Sequence, residues 1–355
     1  MSPRNDRIPG ITALRAIAAL SVVVAHALST GAEIRGTPIE QVLTLPFGAI
    51  GVLIFFVISG YVIGLTRHSP TREFAIRRMI RVYPPFWIAC FVAFVSIKAF
   101  GGNAHFYKSD WRMLSLIPTP DINGSLGIPY WTLIYEVAFY VAACAVFSLR
   151  VSDRILSLVV LVWIGAILLS LGYFAAHPTA LVGVFLLLSP YSMFFAVGLL
   201  VCLNEQWLLQ ANAGLLVIVV FLLASLAEAI SPLPPLHAIT PSSACLFLAT
   251  AFGLIVHLMG RVRFVPKSVL ALGNSSYGLY LLHIPAMLVL MQLTRGTVLA
   301  GFFYLPYVVM FAIPLAIGVA FGLIEFRMHA WLAARMRSVF VASSAPRPVT
   351  PPVMS

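Results

Sequence analysis

Long apolar runs recur along this 355-residue chain and constrain its fold more than any other feature. A bilayer core of about 30 Å is crossed by about 20 apolar residues in a helix. Lipid offers the backbone no hydrogen-bond partners, so such runs must form helices. The chain contains ten candidate runs: 11–29, 47–66, 83–100, 130–148, 155–175, 181–203, 211–230, 241–260, 270–293 and 301–325. The sequence therefore predicts an all-α integral membrane protein, a bundle of about ten transmembrane helices.

Composition excludes a soluble globular fold and argues against nucleic-acid binding. Hydrophobic residues make up 61% of the chain and charged residues 9%, against roughly 25% charged in an ordinary soluble domain. Nucleic-acid binding would require the net charge of +11 to form one water-facing patch. With a cytoplasmic amino terminus, 17 of the 22 Lys and Arg residues fall on the cytoplasmic side and 5 on the other. The charge therefore predicts orientation, with both termini cytoplasmic and the lipid bilayer as partner.

The amino-terminal run has a second interpretation. Its basic flank, the apolar stretch 16–25 and the small residues near Ala27 also describe a secretory signal peptide. Removal of such a signal peptide would take His26 away or leave it beside the cleavage site. An intact amino terminus on the purified protein would exclude this alternative.

One carboxylate stands inside a predicted span. Ten of the eleven acidic residues fall in loops, tails or span ends, whereas Glu136 lies about six residues into the fourth run. A carboxylate at that depth is retained only with a partner, a proton or a function. Thr132, Glu136 and Tyr140 share one helix face. A catalytic role and a structural hydrogen bond to another helix both fit.

The first run carries Arg15 and, eleven residues later, His26. Eleven residues return to within about 20° of the starting direction and rise about 16 Å, so both side chains point the same way from different depths. Counted from the span ends, His26 and Glu136 lie at similar depths toward the outer face. A His and a carboxylate at one level can act as a base and its orienter. A histidine that only packs or links helices is the alternative.

An arginine cluster precedes the third run, within TRHSPTREFAIRRMIRVYPPFW. Arg78 and Arg81 share one side if the segment is helical, and Pro84 and Pro85 suit the first turn of the next helix. The cluster is typical of topology and lipid-headgroup contact. Because arginine binds phosphate bidentately, it equally fits a site for a polyanionic cytosolic ligand.

The ninth run opens with the polar sequence LGNSSYGLYLLHIP. Ser276, Tyr277, Tyr280 and His283 crowd into this short stretch, and the two tyrosines are about one helical turn apart. The pattern predicts either the polar lining of a cavity or hydrogen bonds between helices. In the second run, Gly60 would allow close helix approach.

No metal site is predicted. The eight histidines are scattered and the cysteines fall singly in four apolar runs, without ligand or disulfide spacing. Core packing is the expected role of the four cysteines, Cys90, Cys144, Cys202 and Cys245.

Six ordered segments resemble the membrane-bound acyltransferase 3 family, integral-membrane enzymes that O-acylate bacterial surface glycans and related metabolites. The similarity covers nearly the whole chain through LRAIAALSVVVAHA, FFVISGYVIG, RRMIRVYPPFW, WTLIYEVAFY, LGNSSYGLYLLHIP and IEFRM. It implies a polytopic acyltransferase domain over 1–342 in the bacterial cytoplasmic (inner) membrane. Composition predicts a disordered cytoplasmic tail over 343–355.

The resemblance also implies site residues, because each matches a position of the family's motifs. His26 and Glu136 are expected to be catalytic. The co-substrate is expected to bind to Arg15, Arg78 and Arg81. Lining of the substrate cavity is expected of Ser276, Tyr277, Tyr280 and His283. The family often has Ser at Thr132 and Pro after its late Glu, where this chain has Phe326 and Arg327. No catalytic role is therefore expected for Glu325.

Together these observations lead to a hypothesis of acyl transfer. An acyl group, acetyl by resemblance, passes from cytosolic acyl-CoA to a hydroxyl of a carbohydrate or lipid-linked sugar, such as O-antigen or exopolysaccharide. Acyl-CoA is a co-substrate, and no tightly bound cofactor is expected. His26, oriented by Glu136, takes the hydroxyl proton or accepts the acyl group itself. The loop 101–129 is expected to contribute acceptor specificity.

A proton-coupled transporter or flippase for a sugar or anionic substrate is the main alternative. In it, His26, Glu136 and His283 relay protons while the arginines bind the substrate. A purely structural protein leaves the cost of Glu136 unexplained. The cytoplasmic arginines and an outer-leaflet histidine suit a two-sided transfer reaction better than a symmetric relay.

Overall fold

The computed structural model describes residues 8–42, 45–100, 114–117, 130–177, 185–231, 242–294, 297 and 301–344. Ten helices of 14 residues or more lie in this part of the chain, and they correspond one to one with the ten predicted runs. In chain order they are α1 Pro9–Arg35, α2 Phe47–Leu65, α3 Thr71–Ala99, α4 Trp131–Ser148, α5 Asp153–Ala176, α6 Pro190–Leu203, α7 Ala213–Ile230, α8 Ala244–Gly260, α9 Lys267–Thr294 and α10 Leu305–Ser344. The described residues contain no strand, which confirms the all-α prediction.

Eight of these helices are long and apolar enough to cross a membrane, and α6 and α8 are shorter apolar helices. The predicted run 181–203 is interrupted within its described part, because Pro190 begins α6 directly after a single turn, Phe185–Leu188. Ser192 closes this break by donating to the carbonyl of Leu186 at 2.8 Å. Which side of the membrane each terminus occupies stays a prediction.

The third helix is longer than predicted. The sequence placed Pro84 and Pro85 in the first turn of a helix, but α3 begins at Thr71 and carries both prolines in its interior. That expectation was wrong because a membrane helix tolerates proline where neighbouring groups satisfy the backbone. As a result, Arg78 and Arg81 belong to the same continuous helix as the apolar segment behind them.

The last helix also continues past its predicted end. The run was expected to stop at Glu325, whereas α10 extends to Ser344. The predicted tail 343–355 lies outside the described residues from 345 onward, and the loop 101–129 is described only over 114–117.

Helix α1 lies centrally and packs against α2, α8, α9 and α10. Helix α9 packs against α1, α3 and α10, so these four helices form a continuous group. Helices α5 and α7 are peripheral and present apolar side chains outward, such as Leu169 and Phe221. Lipid-facing apolar surface of this kind is expected where the solvent is the bilayer.

Helices α2 and α6 approach each other at two glycines. A Cβ on Gly198 would overlap the carbonyl oxygen of Val57, and a Cβ on Gly60 would overlap that of Phe195. Small residues allow this close approach, from which packing gains its energy inside a membrane. The approach predicted for Gly60 is confirmed.

We expect Gly198→Ala to destabilise the protein by on the order of 1–3 kcal/mol, because the added methyl must force the two backbones apart. Gly165→Ala on peripheral α5 is the matched control, since a Cβ there meets open space. Unfolding of the purified variants by titration with SDS measures both changes. Equal stability of the two variants would contradict the close contact.

Candidate functional site

A polar cavity of about 130 Å³ lies between α1, α2, α3, α4 and α9. Its wall combines mostly apolar side chains of α2, with the hydroxyl of Ser59 among them, and charged and hydroxyl groups from the other four helices. The polar lining consists of Arg15, Ser59, Arg78, Arg81, Thr132, Glu136, Tyr140, Ser276, Tyr277 and Tyr280. Seven of the nine predicted site residues are therefore brought together, from helices that lie far apart in the sequence.

Arg15 extends from α1 to α9. Its guanidinium donates a hydrogen bond to the hydroxyl of Ser276 at 3.0 Å, and Ser276 is fully buried. A buried guanidinium is costly unless its donors are satisfied or a ligand takes them. This bond fixes α1 against α9 at the level of the cavity.

Arg78 lies over two aromatic rings, 5.3 Å from the centre of Phe74 and 5.2 Å from that of Tyr140. It also donates at 3.3 Å to the hydroxyl of Thr66 and at 3.4 Å to the carbonyl of Val62. These long hydrogen bonds leave the guanidinium weakly held. An anion entering the cavity could therefore recruit it.

Arg81 forms an ion pair with Glu325 and lies 4.9 Å from the ring centre of Tyr277. The Glu325 carboxylate is fully buried, and its second oxygen has no hydrogen-bond partner among the described residues. Glu325 was expected at the end of a span, which was wrong because α10 continues well beyond it. Charge balance was the available signal, since three buried arginines exceed the single acid expected inside the bundle.

Hydroxyl groups connect the walls of the cavity. Thr132 and Tyr280 are joined at 2.6 Å, which ties α4 to α9. Tyr140 donates to Glu136 one turn away on the same helix. Tyr277 donates to the carbonyl of Val82 at 2.9 Å and so ties α9 to α3. The helix face predicted for Thr132, Glu136 and Tyr140 is thus the face that lines the cavity.

His26 and His283 are not among the described residues that line this cavity. They lie about one helical turn beyond it, following Val22 on α1 and Tyr280 on α9. Their ring centres are 5.3 Å apart with a 45° angle between the planes. The structure thus brings the two predicted histidines together, as a pair adjacent to the cavity.

Glu136 lies closer to the arginines than the depth argument predicted. It stands midway between Thr132, which meets Tyr280, and Tyr140, which meets Arg78. The hydrogen bond that Glu136 accepts comes from Tyr140, one turn along the same helix. The predicted depths of His26 and Glu136 were counted from span ends taken to lie at opposite membrane surfaces. Instead, Tyr130, just before α4, already bonds the carbonyl of Leu281 inside the bundle.

The remaining cluster arginines have other contacts. Arg67 forms a bidentate ion pair with Asp153, in which Nε and Nη2 donate to Oδ1 and Oδ2 at 2.8 and 2.6 Å. This hydrogen bonding raises the pKa of Arg67. Arg77 pairs with Glu73 one turn away on α3. Of the arginine cluster, only Arg78 and Arg81 therefore remain candidates for the predicted polyanion site. Arg15 of α1 lines the same cavity.

A second cavity, of about 320 Å³, lies between α2, α4, α5 and α6. Its described lining is apolar throughout, with Phe139, Trp163 and Phe195 among its residues. It offers no group that could exchange a proton or bind a charge. The described residues also contain no cluster of three or more metal-ligating side chains. The smaller polar cavity is therefore the candidate functional site.

The ion pair between Arg81 and Glu325 should carry a large coupling energy. Arg81→Met or Glu325→Met alone leaves a buried charge without its partner, which costs about 3–5 kcal/mol. The double variant should recover most of that loss. The pair Arg67 and Asp153, whose side chains are 19% and 40% exposed, provides a control cycle with a coupling below about 1 kcal/mol. SDS unfolding of both sets measures the couplings, and additive single effects at Arg81 and Glu325 would contradict the pair.

Comparison with known proteins agrees with this arrangement. A family model described as an acyltransferase domain matches residues 8–324. Acyltransferase MdmB of Streptomyces mycarofaciens is 31% identical over 153 residues, 39% of this chain and 39% of that protein. Nodulation protein 10 of Rhizobium leguminosarum bv. viciae is 27% identical over 173 residues, 39% of this chain and 45% of that protein.

The chain spans less than half the length of these curated relatives. No solved structure matches it. The family match nevertheless extends from the start of α1 into α10 and includes every residue that lines the polar cavity. The chain belongs to the acyltransferase 3 family of membrane proteins.

Proposed function

We propose that this protein transfers an acyl group, most simply acetyl, from cytosolic acyl-CoA to a hydroxyl of a carbohydrate. The acceptor is a cell-surface or lipid-linked glycan, and the protein resides in the bacterial inner membrane. The observation that carries the proposal is the polar cavity, in which Arg15, Arg78 and Arg81 converge inside an apolar bundle. Family membership supports acyl transfer in general.

The charge of the site suits a polyanionic donor. Three guanidiniums face the carboxylates of Glu136 and Glu325, so the group as a whole is positive. Arginine keeps its charge and offers forked donors that match phosphate oxygens. The phosphates of CoA provide such oxygens, whereas a neutral sugar does not. Acyl-CoA is therefore a better match to the cavity than a sugar alone.

Size limits which part of the donor enters. The cavity volume of about 130 Å³ is similar to that of an engineered 150 Å³ cavity that binds benzene. Only the narrow acyl-pantetheine arm fits such a space, so the phosphates of CoA meet the arginines at its edge while the adenosine stays outside it. This arrangement delivers the thioester to the level of Tyr280 and the histidine pair.

In the reaction, His26 takes the proton of the acceptor hydroxyl as its oxygen attacks the thioester carbon. The C–S bond then breaks, and the proton passes from His26 to the CoA thiolate. Hydroxyl donors near the cavity end, such as Tyr280, stabilise the oxyanion that develops on the carbonyl oxygen. Glu136 acts beside the arginines, where its charge balances Arg15 and Arg78.

The first test compares surface glycans and lipid-linked sugars by mass spectrometry in cells with and without this gene. We expect loss of one acyl mass unit, restored by the wild-type gene but not by His26→Ala, because the base is missing. The purified variant should elute as the wild type does in detergent. Full restoration by His26→Ala would remove His26 from the mechanism. An unchanged acylation profile with a cytoplasmic precursor accumulating would favour the transporter alternative.

Two adjacent arginines test donor binding. Arg78→Gln should raise the KM for acetyl-CoA about 10- to 100-fold, because a hydrogen bond between charged groups contributes about 1.5–3 kcal/mol. Arg77→Gln is the matched control, since Arg77 pairs with Glu73 and does not line the cavity. Steady-state kinetics of purified protein in liposomes, with glycans from the deletion strain as acceptor, give both values. An equal change of KM in the two variants would contradict a specific role for Arg78.

A further inference from the structure

His283 carries a ring nitrogen whose proton is assigned by its surroundings. Its Nδ1 lies 3.0 Å from the carbonyl oxygen of Leu279 and 2.8 Å from that of Tyr280. Carbonyl oxygens only accept hydrogen bonds, so Nδ1 must carry the proton and donate it. In the neutral ring the lone pair is then on Nε2. The backbone of α9 therefore fixes one tautomer of this histidine.

The other nitrogen of His283 lacks a hydrogen bond. His283 is fully buried, and its Nε2 has no partner among the described residues. A buried acceptor without a donor is destabilising, so each such group in a native protein calls for an explanation. The nitrogen is an acceptor held ready for a donor.

The ring of His26 lies against that of His283, with 5.3 Å between ring centres. The ring of Tyr280 lies 6.1 Å from His283, but its hydroxyl is already joined to Thr132. Two contacts hold α1 and α9 in parallel register on either side of the pair. Arg15 bonds Ser276 at 3.0 Å on the cavity side. On the far side, Thr30 donates to the carbonyl of His26 at 2.7 Å and lies 3.9 Å from the sulfur of Met287. The two rings are thus kept adjacent by the helix contact itself.

We propose that His283 is the positioning residue for His26, and that its Nε2, which has no partner among the described residues, accepts a hydrogen bond from the ring N–H of His26 when the acceptor hydroxyl is bound. This inference rests on the proposed function, in which His26 is the base. With one nitrogen of His26 donating to His283, the other carries the lone pair that takes the hydroxyl proton. After that transfer His26 is an imidazolium whose N–H still points to His283, until its new proton passes to the CoA thiolate.

This arrangement assigns to His283 the orienting role that the sequence analysis gave to Glu136. The carboxylate of Glu136 bonds Tyr140 and lies among the arginines, about 10 Å from the level of the histidines by helical rise. A histidine with a fixed tautomer can orient a second imidazole as a carboxylate does, without bringing a negative charge into the apolar part of the bundle.

Two substitutions separate positioning from structure. In His283→Gln the amide reaches the place of Nε2 and keeps an acceptor for His26. In His283→Asn the shorter amide reaches the place of Nδ1 and keeps only the bonds to the α9 carbonyls. We expect kcat to fall about 100-fold in the Asn variant, as for loss of an oriented base, and less than about 10-fold in the Gln variant. The KM for acetyl-CoA should stay unchanged in both.

The assay uses purified protein in liposomes, radiolabelled acetyl-CoA and glycans from the deletion strain. His257→Gln is the control, because His257 is equally buried on α8, has an unpartnered Nδ1 and does not line the cavity. Its kcat should stay within about twofold of wild type. Higher activity in the Asn variant than in the Gln variant, at equal thermal stability, would overturn the proposal in favour of a structural role. Inactive His26→Ala with fully active His283→Asn would overturn this inference alone, whereas active His26→Ala would overturn the assignment of His26 as base.

Discussion

The site depends on the burial of the Arg81 and Glu325 ion pair. Neither charge could remain inside the bundle alone, and each is held by the other across α3 and α10. Arg81 also lies against the ring of Tyr277, so the pair fixes α9 between the two helices. Because α9 supplies Ser276 and Tyr280, this ion pair places the hydroxyl wall of the cavity opposite Arg15 and Glu136.

The spacing of polar residues along α9 determines which side chains of the other helices they contact. Ser276, Tyr280 and His283 follow at four and three residues, so they share one face at successive depths. Ser276 meets Arg15, Tyr280 meets Thr132, and His283 meets His26. One helix face therefore joins the level of the arginines to the level of the histidine pair. Groups spaced this way can act on two ends of a single extended substrate.

Hydropathy alone predicted the helices, because burial of the backbone in lipid leaves few alternatives. The family motifs predicted Arg15, Arg81 and Ser276 as site residues, and the structure brings them to one cavity. The misses at the site involve contacts between distant parts of the chain. Glu325 was placed at a surface because its partner could not be read from its neighbours. Glu136 was placed too near the outer face because helix starting levels are set by tertiary bonds such as that of Tyr130 to Leu281.

The residue types in the cavity favour transfer over proton-coupled transport. A proton relay needs groups that change charge in sequence, as Asp, Glu and His do. Arginine does not release its proton in proteins, and three of the five formally ionised groups at this site are arginines. Fixed positive charge is suited to holding a polyanion through a reaction, since this charge does not change with the proton gradient. The titratable histidines lie beyond the arginines. An acyl-CoA held by its phosphates at the arginines would present its thioester near these histidines, where it would meet a hydroxyl. The order of groups along α1 and α9 therefore suits acyl transfer.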